Sequence, residues 1–217
     1  MDMNIVALSD LHGYLPDNVP PCDLLLLAGD LCPIENHDHT FHAEWLDREF
    51  RSWLRRLQAR QIVGIAGNHD LLFEREPELV PRDLPWTYLQ DSGVTREGIK
   101  IWGTPWQPWF FDWAFNGQPE QLRMIWAKIP DDTDILVVHG PPHGYGDGIP
   151  MRQGIRHTGC PHLLERIRAV EPRLVVFGHI HEGRGQWTSG NTTLANVTVL
   201  NEAYEPAYEP WRMEWSQ

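Results

Sequence analysis

Cysteine is scarce in this chain, and its three thiols do not form a recognisable set. Cys22, Cys32 and Cys160 are widely spaced, and no Cys-x-x-Cys motif is present. A disulfide framework needs an even set of cysteines and a structural zinc site needs closely spaced ones, so we expect neither. Three reduced thiols are typical of a protein from a reducing compartment.

Long hydrophobic runs are also absent. No apolar run approaches the roughly 20 residues that a helix needs to cross a bilayer. The N-terminal sequence Met1-Asp2-Met3-Asn4 carries no positive charge, so we expect neither a signal peptide nor membrane association. Hydrophobic residues make up 41% of the 217 residues and the mean hydropathy is -0.42, which are values of a globular protein. We therefore expect a cytoplasmic protein.

Positive charge is in deficit. The chain has 18 Lys and Arg residues against 30 Asp and Glu residues, which gives a formal net charge of -12. Nonspecific nucleic-acid binding requires a basic patch, so this charge balance disfavours it. Abundant carboxylates can instead accompany bound cations. No linker or low-complexity segment divides the chain, and we expect one domain over residues 1–217.

Five short apolar runs are each followed at once by glycine or by polar side chains. The runs are too short for helices and are predicted to be buried strands. They cover residues 3–8, 24–28, 62–66, 135–138 and 174–177. The sequences that follow them are Asp10-Leu11-His12, Gly29-Asp30, Gly67-Asn68-His69-Asp70, His139-Gly140 and Gly178-His179-Ile180-His181.

The connections between these runs predict parallel strands. Large apolar residues between Phe41 and Leu57 recur at three- and four-residue steps, which indicates an amphipathic helix. A strand, a helix and a strand in succession form a βαβ unit. In open α/β sheets, ligand sites gather at the carboxyl ends of such strands. We also expect helices from Pro119 and through residues 163–170, strands at 98–102, 192–200 and 211–215, and a loop over residues 203–210.

The side chains brought to this edge form a set of metal ligands. Imidazole, carboxylate and amide groups without thiolate suit Mn, Fe, Ni, Co or Zn. Even if one histidine binds no metal, the remaining side chains are enough to hold two divalent ions that share a bridging carboxylate. The set consists of Asp10, His12, Asp30, Asn68, His69, His139, His179 and His181.

The ordered set of motifs resembles the calcineurin-like metallophosphoesterase superfamily over residues 5–183. Three stretches further resemble its small metallophosphoesterase-domain-containing subfamily. They are His139-Gly-Pro-Pro, Gly178-His-Ile-His-Glu-Gly, and Trp-Gly-Thr-Pro-Trp-Gln-Pro-Trp-Phe at residues 102–110. The resemblance implies an α/β fold in which a two-sheet, mixed β sandwich is flanked by α-helices.

The same resemblance implies a role for each residue of the set. One ion is held by Asp10, His12, Asp30 and His181. Asp30 bridges to a second ion, which is completed by Asn68, His139 and His179. His69 is then free to act as a general acid, and Asp70 is placed to orient its ring.

The activity implied is metal-dependent hydrolysis of a small phosphate ester. Two ions roughly 3.5–4 Å apart, with Mn as the first choice, lower the pKa of a bridging water so that hydroxide attacks phosphorus in line. After Gly29-Asp30 the chain reads Leu-Cys-Pro-Ile-Glu, without the Asp-Arg-Gly of the protein-phosphatase branch. We therefore favour a phosphodiesterase acting on nucleotide-type or cyclic nucleotide substrates. A phosphomonoesterase and a catalytically weak metal-binding regulatory module remain as alternatives, and the oligomeric state stays open.

Two residues outside the motifs are expected to contact the substrate. Trp106 belongs to an aromatic stretch that either stacks a nucleobase or packs over the core. His143, with Asp147 and His157, follows His139 closely enough to reach the pocket.

Other polar residues admit two interpretations. Arg152, Arg156 and Arg184 either contact a phosphate or are ordinary surface charges. His37, His39 and His42 follow Asp30 in the sequence, but the ligand set is already complete. We prefer a solvated loop for these three histidines.

Overall fold

A computed structural model of the chain describes residues 2–216 and contains two main β-sheets packed face to face. The first sheet has the order β15-β1-β2-β3-β4, in which β1 to β4 are parallel and β15 is antiparallel to β1. Its strands are β1 (Met3–Leu8), β2 (Cys22–Ala28), β3 (Ala59–Ile65), β4 (Thr87–Tyr88) and β15 (Trp211–Trp215).

The second sheet has six strands in the order β13-β14-β12-β9-β6-β5. Its four inner strands are parallel, and the two edge strands are antiparallel to their neighbours. The strands are β5 (Ser92–Arg96), β6 (Ile99–Thr104), β9 (Ile135–Val138), β12 (Leu174–Phe177), β13 (Gly185–Ser189) and β14 (Thr192–Asn196). Two small pairs lie outside the sheets, β7 (Gln107–Pro108) with β8 (Asn116–Gly117), and β10 (Gly148–Pro150) with β11 (Ile155–His157).

Helices cover the outer faces of both sheets. On the first sheet, α1 (His39–Trp45), a π-helical turn (Leu46–Phe50) and α2 (Arg51–Arg56) follow one another directly, and α3 (Leu71–Arg75) follows β3. On the second sheet lie α4 (Pro119–Trp126) and α5 (Pro161–Val170). Short 3₁₀ turns occur at Pro77–Leu79 and His181–Gly183. No helix among residues 2–216 combines the length and apolar character needed to cross a membrane.

Three apolar layers hold these elements together. Leu24 and Leu26 of β2 face the second sheet, whereas Leu25 and Leu27 face the helices beside Phe50. Because the inner strands are buried on both faces, their sequences are continuous apolar runs and do not alternate. Each fully buried leucine contributes roughly 1.5–3 kcal/mol of transfer free energy.

The predicted two-sheet, mixed sandwich with flanking helices is confirmed. The helix predicted over residues 41–57 is present from His39 to Arg56, with the π turn in its middle, and Leu57 is already extended. The strand predicted over 192–200 ends earlier, at Asn196. There the Asn196 side chain accepts a hydrogen bond from the Thr198 amide and donates one to the carbonyl of Ile180, and so turns the chain away from the sheet.

Candidate metal centre

The carboxyl ends of β1, β2, β3, β9 and β12 meet at one edge of the sandwich. The predicted ligands lie in the loops that leave these strands. The Asp10 amide donates to the carbonyl of Gly29, and the His12 amide donates to that of Asp30, so the first two loops are joined directly. Four of the predicted ligands have a positive φ, namely Asp10 (56°), His12 (45°), Asp30 (53°) and His179 (69°). Such left-handed backbone is uncommon outside glycine and clusters at functional sites.

Asp10, His12 and His181 form the first group of converging ligand atoms. Their atoms lie within 4.8 Å of one another, and all three side chains are buried. Nδ1 of His181 donates to the carbonyl of Asn201 at 2.7 Å, which leaves Nε2 facing Asp10 Oδ1 at 3.6 Å. A backbone carbonyl that fixes the tautomer in this way is the usual support of a metal-binding histidine.

Asp30, His139 and His179 form the second group. Nδ1 of His139 donates to the carbonyl of Ala28 at 2.9 Å, so Nε2 faces the Asn68 amide oxygen at 2.9 Å and Asp30 Oδ2 at 3.4 Å. The same oxygen of Asn68 lies 2.7 Å from Nδ1 of His179. Each of these buried contacts is satisfied either by a ring proton of the histidine or by a cation held between the nitrogen and oxygen atoms.

Asp30 connects the two groups. Its Oδ2 lies 3.5 Å from Nε2 of His12 and 3.4 Å from Nε2 of His139, and its Oδ1 accepts the His69 amide at 2.8 Å. The residue is 2% exposed. Gly67 makes this position possible, because a Cβ at residue 67 would collide with the Asp30 carboxylate.

The electrostatics of the centre favour bound cations. Burial disfavours the charged form of His139 and His181, but the neighbouring carboxylates outweigh this effect and raise both pKa values to about 9. Burial dominates at His12 and His179, where it lowers the pKa to about 4 and about 3. The centre therefore attracts positive charge while it keeps two imidazoles neutral and able to bind a metal.

The donor set fits a divalent metal. Both ring nitrogens of His12 are buried without a hydrogen-bond partner in the described part of the chain, which is costly for a polar group. All donors at this edge are oxygen or nitrogen, as divalent Mn, Fe, Ni, Co and Zn accept. His69 also lies within 4.8 Å of the ligand atoms of His12 and Asp30.

Asp70 does not orient the His69 ring, contrary to our expectation. Its carboxylate accepts hydrogen bonds from the backbone amides of Leu31, Cys32 and Gly67, at 2.7 to 3.1 Å. Nδ1 of His69 has no hydrogen-bond partner among residues 2–216. Asp70 thus holds the loop after Asp30 against the loop after β3, because three amide donors outcompete one ring nitrogen for the buried carboxylate.

The His69 ring contacts other rings instead. Its centroid lies 4.1 Å from that of Trp113 and 4.9 Å from that of His12. His37 lies beside the same ring, at 5.8 Å. The prediction of a solvated loop for His37, His39 and His42 is wrong for His42. This side chain is fully buried and donates to the carbonyl of Pro33.

A cavity of about 500 Å³ opens onto the centre. Its walls include aromatic, acidic and basic side chains outside the ligand set, namely Trp109, Phe110, Arg156, His157, Glu182, Glu202 and Tyr204. Neither of the two expected substrate contacts is among them. The Trp106 indole donates to Asp91 and its ring packs on Phe115, so this side chain belongs to the packed layer below. His143 faces Asp147 outside the cavity, and His157, which also contacts Asp147, lines the cavity instead.

Tyr204 is a cavity residue that the sequence did not indicate. Its ring lies 4.9 Å from His12 and 5.1 Å from His181. The loop that carries it is fixed by Asn201, whose side-chain oxygen accepts the amides of Ala203 and Glu205. Residues 203–210 form a loop, as predicted. The path by which this loop brings Tyr204 to the metal centre could not be predicted from a local sequence pattern.

Comparison with known proteins identifies the family. The family described as calcineurin-like phosphoesterase matches residues 3–183. Metallophosphoesterase domain-containing protein 1 of Homo sapiens is 36% identical over 232 residues, which cover 94% of this chain and 68% of that protein.

Two solved structures share the fold at low sequence identity. Phosphopantetheinyl hydrolase from Mycobacterium tuberculosis has a TM-score of 0.57 at 15% identity, over 93% of this chain and 90% of that one. Purple acid phosphatase PPD1 from yellow lupin has a TM-score of 0.53 at 13% identity, over 99% and 48%. The chain thus belongs to the calcineurin-like phosphoesterase family and is a metal-dependent hydrolase of phosphoric esters.

Proposed function

We propose that this protein hydrolyses phosphodiesters at a centre of two divalent metal ions. The observation that carries the proposal is the position of Asp30, whose Oδ2 lies 3.5 Å from one group of ligands and 3.4 Å from the other. A carboxylate between two sets of imidazoles is the arrangement that a bridging ligand requires.

Each group supplies one ion with ligands. Asp10, His12 and His181 would hold the first, Asn68, His139 and His179 would hold the second, and Asp30 would contribute to both. Bound there, divalent ions lower the pKa of a water molecule and neutralise negative charge on the phosphoryl oxygens. We take Mn as the first candidate, with Fe, Ni, Co and Zn as alternatives that accept the same ligands.

His69 supplies the proton for the leaving oxygen in this proposal. Its ring is partly exposed, lines the cavity and lies beside the centre. Its backbone amide binds the Asp30 carboxylate, so the position of the ring is tied to the bridging ligand. Trp113 packs against the ring and limits its movement. A positioned imidazole of this kind contributes typically about 10²–10⁴-fold to a hydrolysis rate.

The charges of the cavity wall support a diester substrate. Glu182 and Glu202 line the wall, and Arg156 is the only arginine or lysine among the described lining residues. A monoester carries about one more negative charge than a diester on the reacting phosphate near neutral pH, and Glu182 and Glu202 would repel that extra charge. Trp109, Phe110 and Tyr204 offer ring faces for a nucleobase. Nucleotide-type diesters, including cyclic nucleotides, are therefore the first substrates.

The test compares a diester with a monoester on the same protein. Chelator-stripped protein is assayed with bis-p-nitrophenyl phosphate and with p-nitrophenyl phosphate, with and without Mn²⁺. We expect Mn²⁺-dependent turnover with a higher kcat/KM for the diester. A higher kcat/KM for the monoester would support the phosphomonoesterase alternative. Absence of turnover with every divalent metal would contradict catalysis by this centre and support the regulatory module.

A further inference from the structure

A buried carboxylate outside the metal centre organises one wall of the cavity. Asp147 is 1% exposed and precedes the hairpin of β10 and β11. Its carboxylate accepts hydrogen bonds from Nδ1 of His157 at 2.8 Å and from the Gly159 amide at 3.1 Å. Its backbone carbonyl accepts two more from Thr158. Burial raises the pKa of Asp147, but hydrogen bonds from Gly144, His157 and Gly159 outweigh it and hold the pKa below its usual range.

The bond to Asp147 fixes the ring of His157. Because Nδ1 donates to the carboxylate, Nε2 is the ring atom left for a ligand. The side chain is 48% exposed and lines the cavity that opens onto the metal centre. Arg156 precedes it on β11 and lines the same cavity. The proposed hydrolysis uses neither residue.

The rest of the wall is unsuited to a second negative group. Glu182 and Glu202 lie in other loops and would repel an anion. Among the described lining residues outside the centre, the hairpin therefore supplies the one arginine or lysine and, in His157, an imidazole, whereas Trp109 and Tyr204 offer only neutral N–H and O–H groups. His143 provides an internal comparison, since its Nδ1 lies 3.6 Å from the same Asp147 carboxylate while its ring does not line the cavity.

We propose that Arg156 and His157 form a second anion subsite, which binds a phosphate group of the substrate other than the one hydrolysed. The inference rests on the proposed function for the position of the first phosphate and adds a substrate class, namely nucleotides that carry a second phosphate group. Arg156 supplies forked N–H donors, which form short bonds to phosphate oxygens, and His157, held through Nδ1 by Asp147, presents Nε2 to the same phosphate.

Inhibitors with one and two phosphates test the subsite. Adenosine 5′-monophosphate is compared with adenosine 2′,5′-bisphosphate, 3′,5′-bisphosphate and 5′-diphosphate, which sample three spacings. Inhibition of bis-p-nitrophenyl phosphate hydrolysis is measured on the Mn²⁺-loaded protein, and binding is measured separately by calorimetry. At least one of the three should bind about tenfold or more tightly than the monophosphate, as expected for a hydrogen bond between charged groups.

Three variants assign the gain to the subsite. Arg156→Gln and His157→Gln should each remove most of the affinity gained from the second phosphate. His143→Gln, which alters another histidine beside Asp147 but outside the cavity, should keep that gain. Arg156→Gln leaves the Asp147 bonds intact, so loss of the gain there cannot be assigned to a displaced hairpin. Equal affinity for all four nucleotides, or a gain that survives both variants, would overturn the subsite. Calorimetry gives this answer even if the diester is not hydrolysed, so failure of the subsite and failure of the proposed function are distinguishable.

Discussion

At the scale of single residues, Asp30 carries the largest consequence. Asp30→Ala removes the carboxylate whose Oδ2 lies within 3.5 Å of imidazole nitrogens of both ligand groups. We expect loss of measurable turnover and loss of most bound metal, because both ions lose a charged ligand. Metal content by plasma mass spectrometry and turnover of bis-p-nitrophenyl phosphate give the two readings.

A second buried carboxylate, that of Asp147, provides a matched control. Asp147→Asn replaces a carboxylate that is 1% exposed but lies outside the metal centre. This variant should keep a metal content close to that of the unchanged protein. Full metal loading of the Asp30→Ala variant would reject the bridging assignment.

Substitution of His69 should lower the catalytic rate without removing bound metal. In the His69→Ala variant we expect both metals to remain, because the two proposed ligand sets are complete without this ring. The kcat for a substrate with a poor leaving group, such as a cyclic nucleotide, should fall about 100-fold or more. For bis-p-nitrophenyl phosphate, whose p-nitrophenolate leaving group needs little protonation, kcat should fall much less.

This leaving-group comparison is its own control. An equal fall for both substrates would indicate that His69 acts on metal binding, which its proximity to His12 and Asp30 also permits. An unchanged rate for both would remove the residue from the mechanism.

The residues that the sequence predicted well are those fixed by strand ends. Asp10, Asp30 and His139 follow continuous apolar runs, so their place at one edge follows from parallel pairing. Tyr204 and Trp109 reach the cavity through loops, whose path depends on hydrogen bonds such as those of Asn201. Trp106 and Trp109 stand three residues apart in one aromatic stretch, and only the fold decides that one packs inside and the other lines the cavity.

At the scale of elements, the loop after β3 depends on a residue without a side chain. A Cβ at Gly67 would collide with Asp30 and would lie 2.6 Å from Cε1 of His139. Gly67→Ala should therefore displace the bridging carboxylate and lower metal affinity about tenfold or more, since Asp30 is buried and cannot move freely. Metal titration followed by calorimetry measures the effect.

Gly98→Ala is the control for this substitution. Gly98 has a φ of 84° and no atom within 4 Å of the added Cβ. The substitution strains the backbone but crowds no ligand, so stability should fall slightly while metal affinity stays unchanged. Equal metal affinities in the two glycine variants would contradict the role assigned to the close approach at Gly67.

The strand pattern itself was predictable because most inner strands are buried on both faces. Runs such as 24–28 and 174–177 contain no polar residue, and the structure places them in the middle of each sheet. Short elements were not predictable. The two-residue strands β7 and β8 are joined by backbone hydrogen bonds and by the side-chain amide of Gln107, which donates to the carbonyl of Ala114 and to the side chain of Asn116.

At the scale of the whole molecule, bound metal should contribute to folding stability. The loops of five strands meet at the centre, where the carboxylates of Asp10 and Asp30 are buried among imidazoles. At a free metal concentration about 100 times the Kd, a single site adds about 2.7 kcal/mol. For a chain of this size that corresponds to a rise in Tm of about 5–10 °C.

Thermal unfolding of chelator-treated protein, with and without Mn²⁺, measures this rise. The Asp30→Ala variant serves as the reference and should show little change on adding Mn²⁺. A Tm that is independent of metal in the unchanged protein would mean that the edge of the sandwich is stable without cations.

The most direct test of the account is the number and position of the metal ions. Crystals grown with Mn²⁺ and measured at the manganese absorption edge should show two anomalous peaks roughly 3.5–4 Å apart. The Asp30 carboxylate should lie between the two peaks, with His12 and His181 at one peak and His139 and His179 at the other. A single peak, or two peaks that Asp30 does not connect, would contradict it.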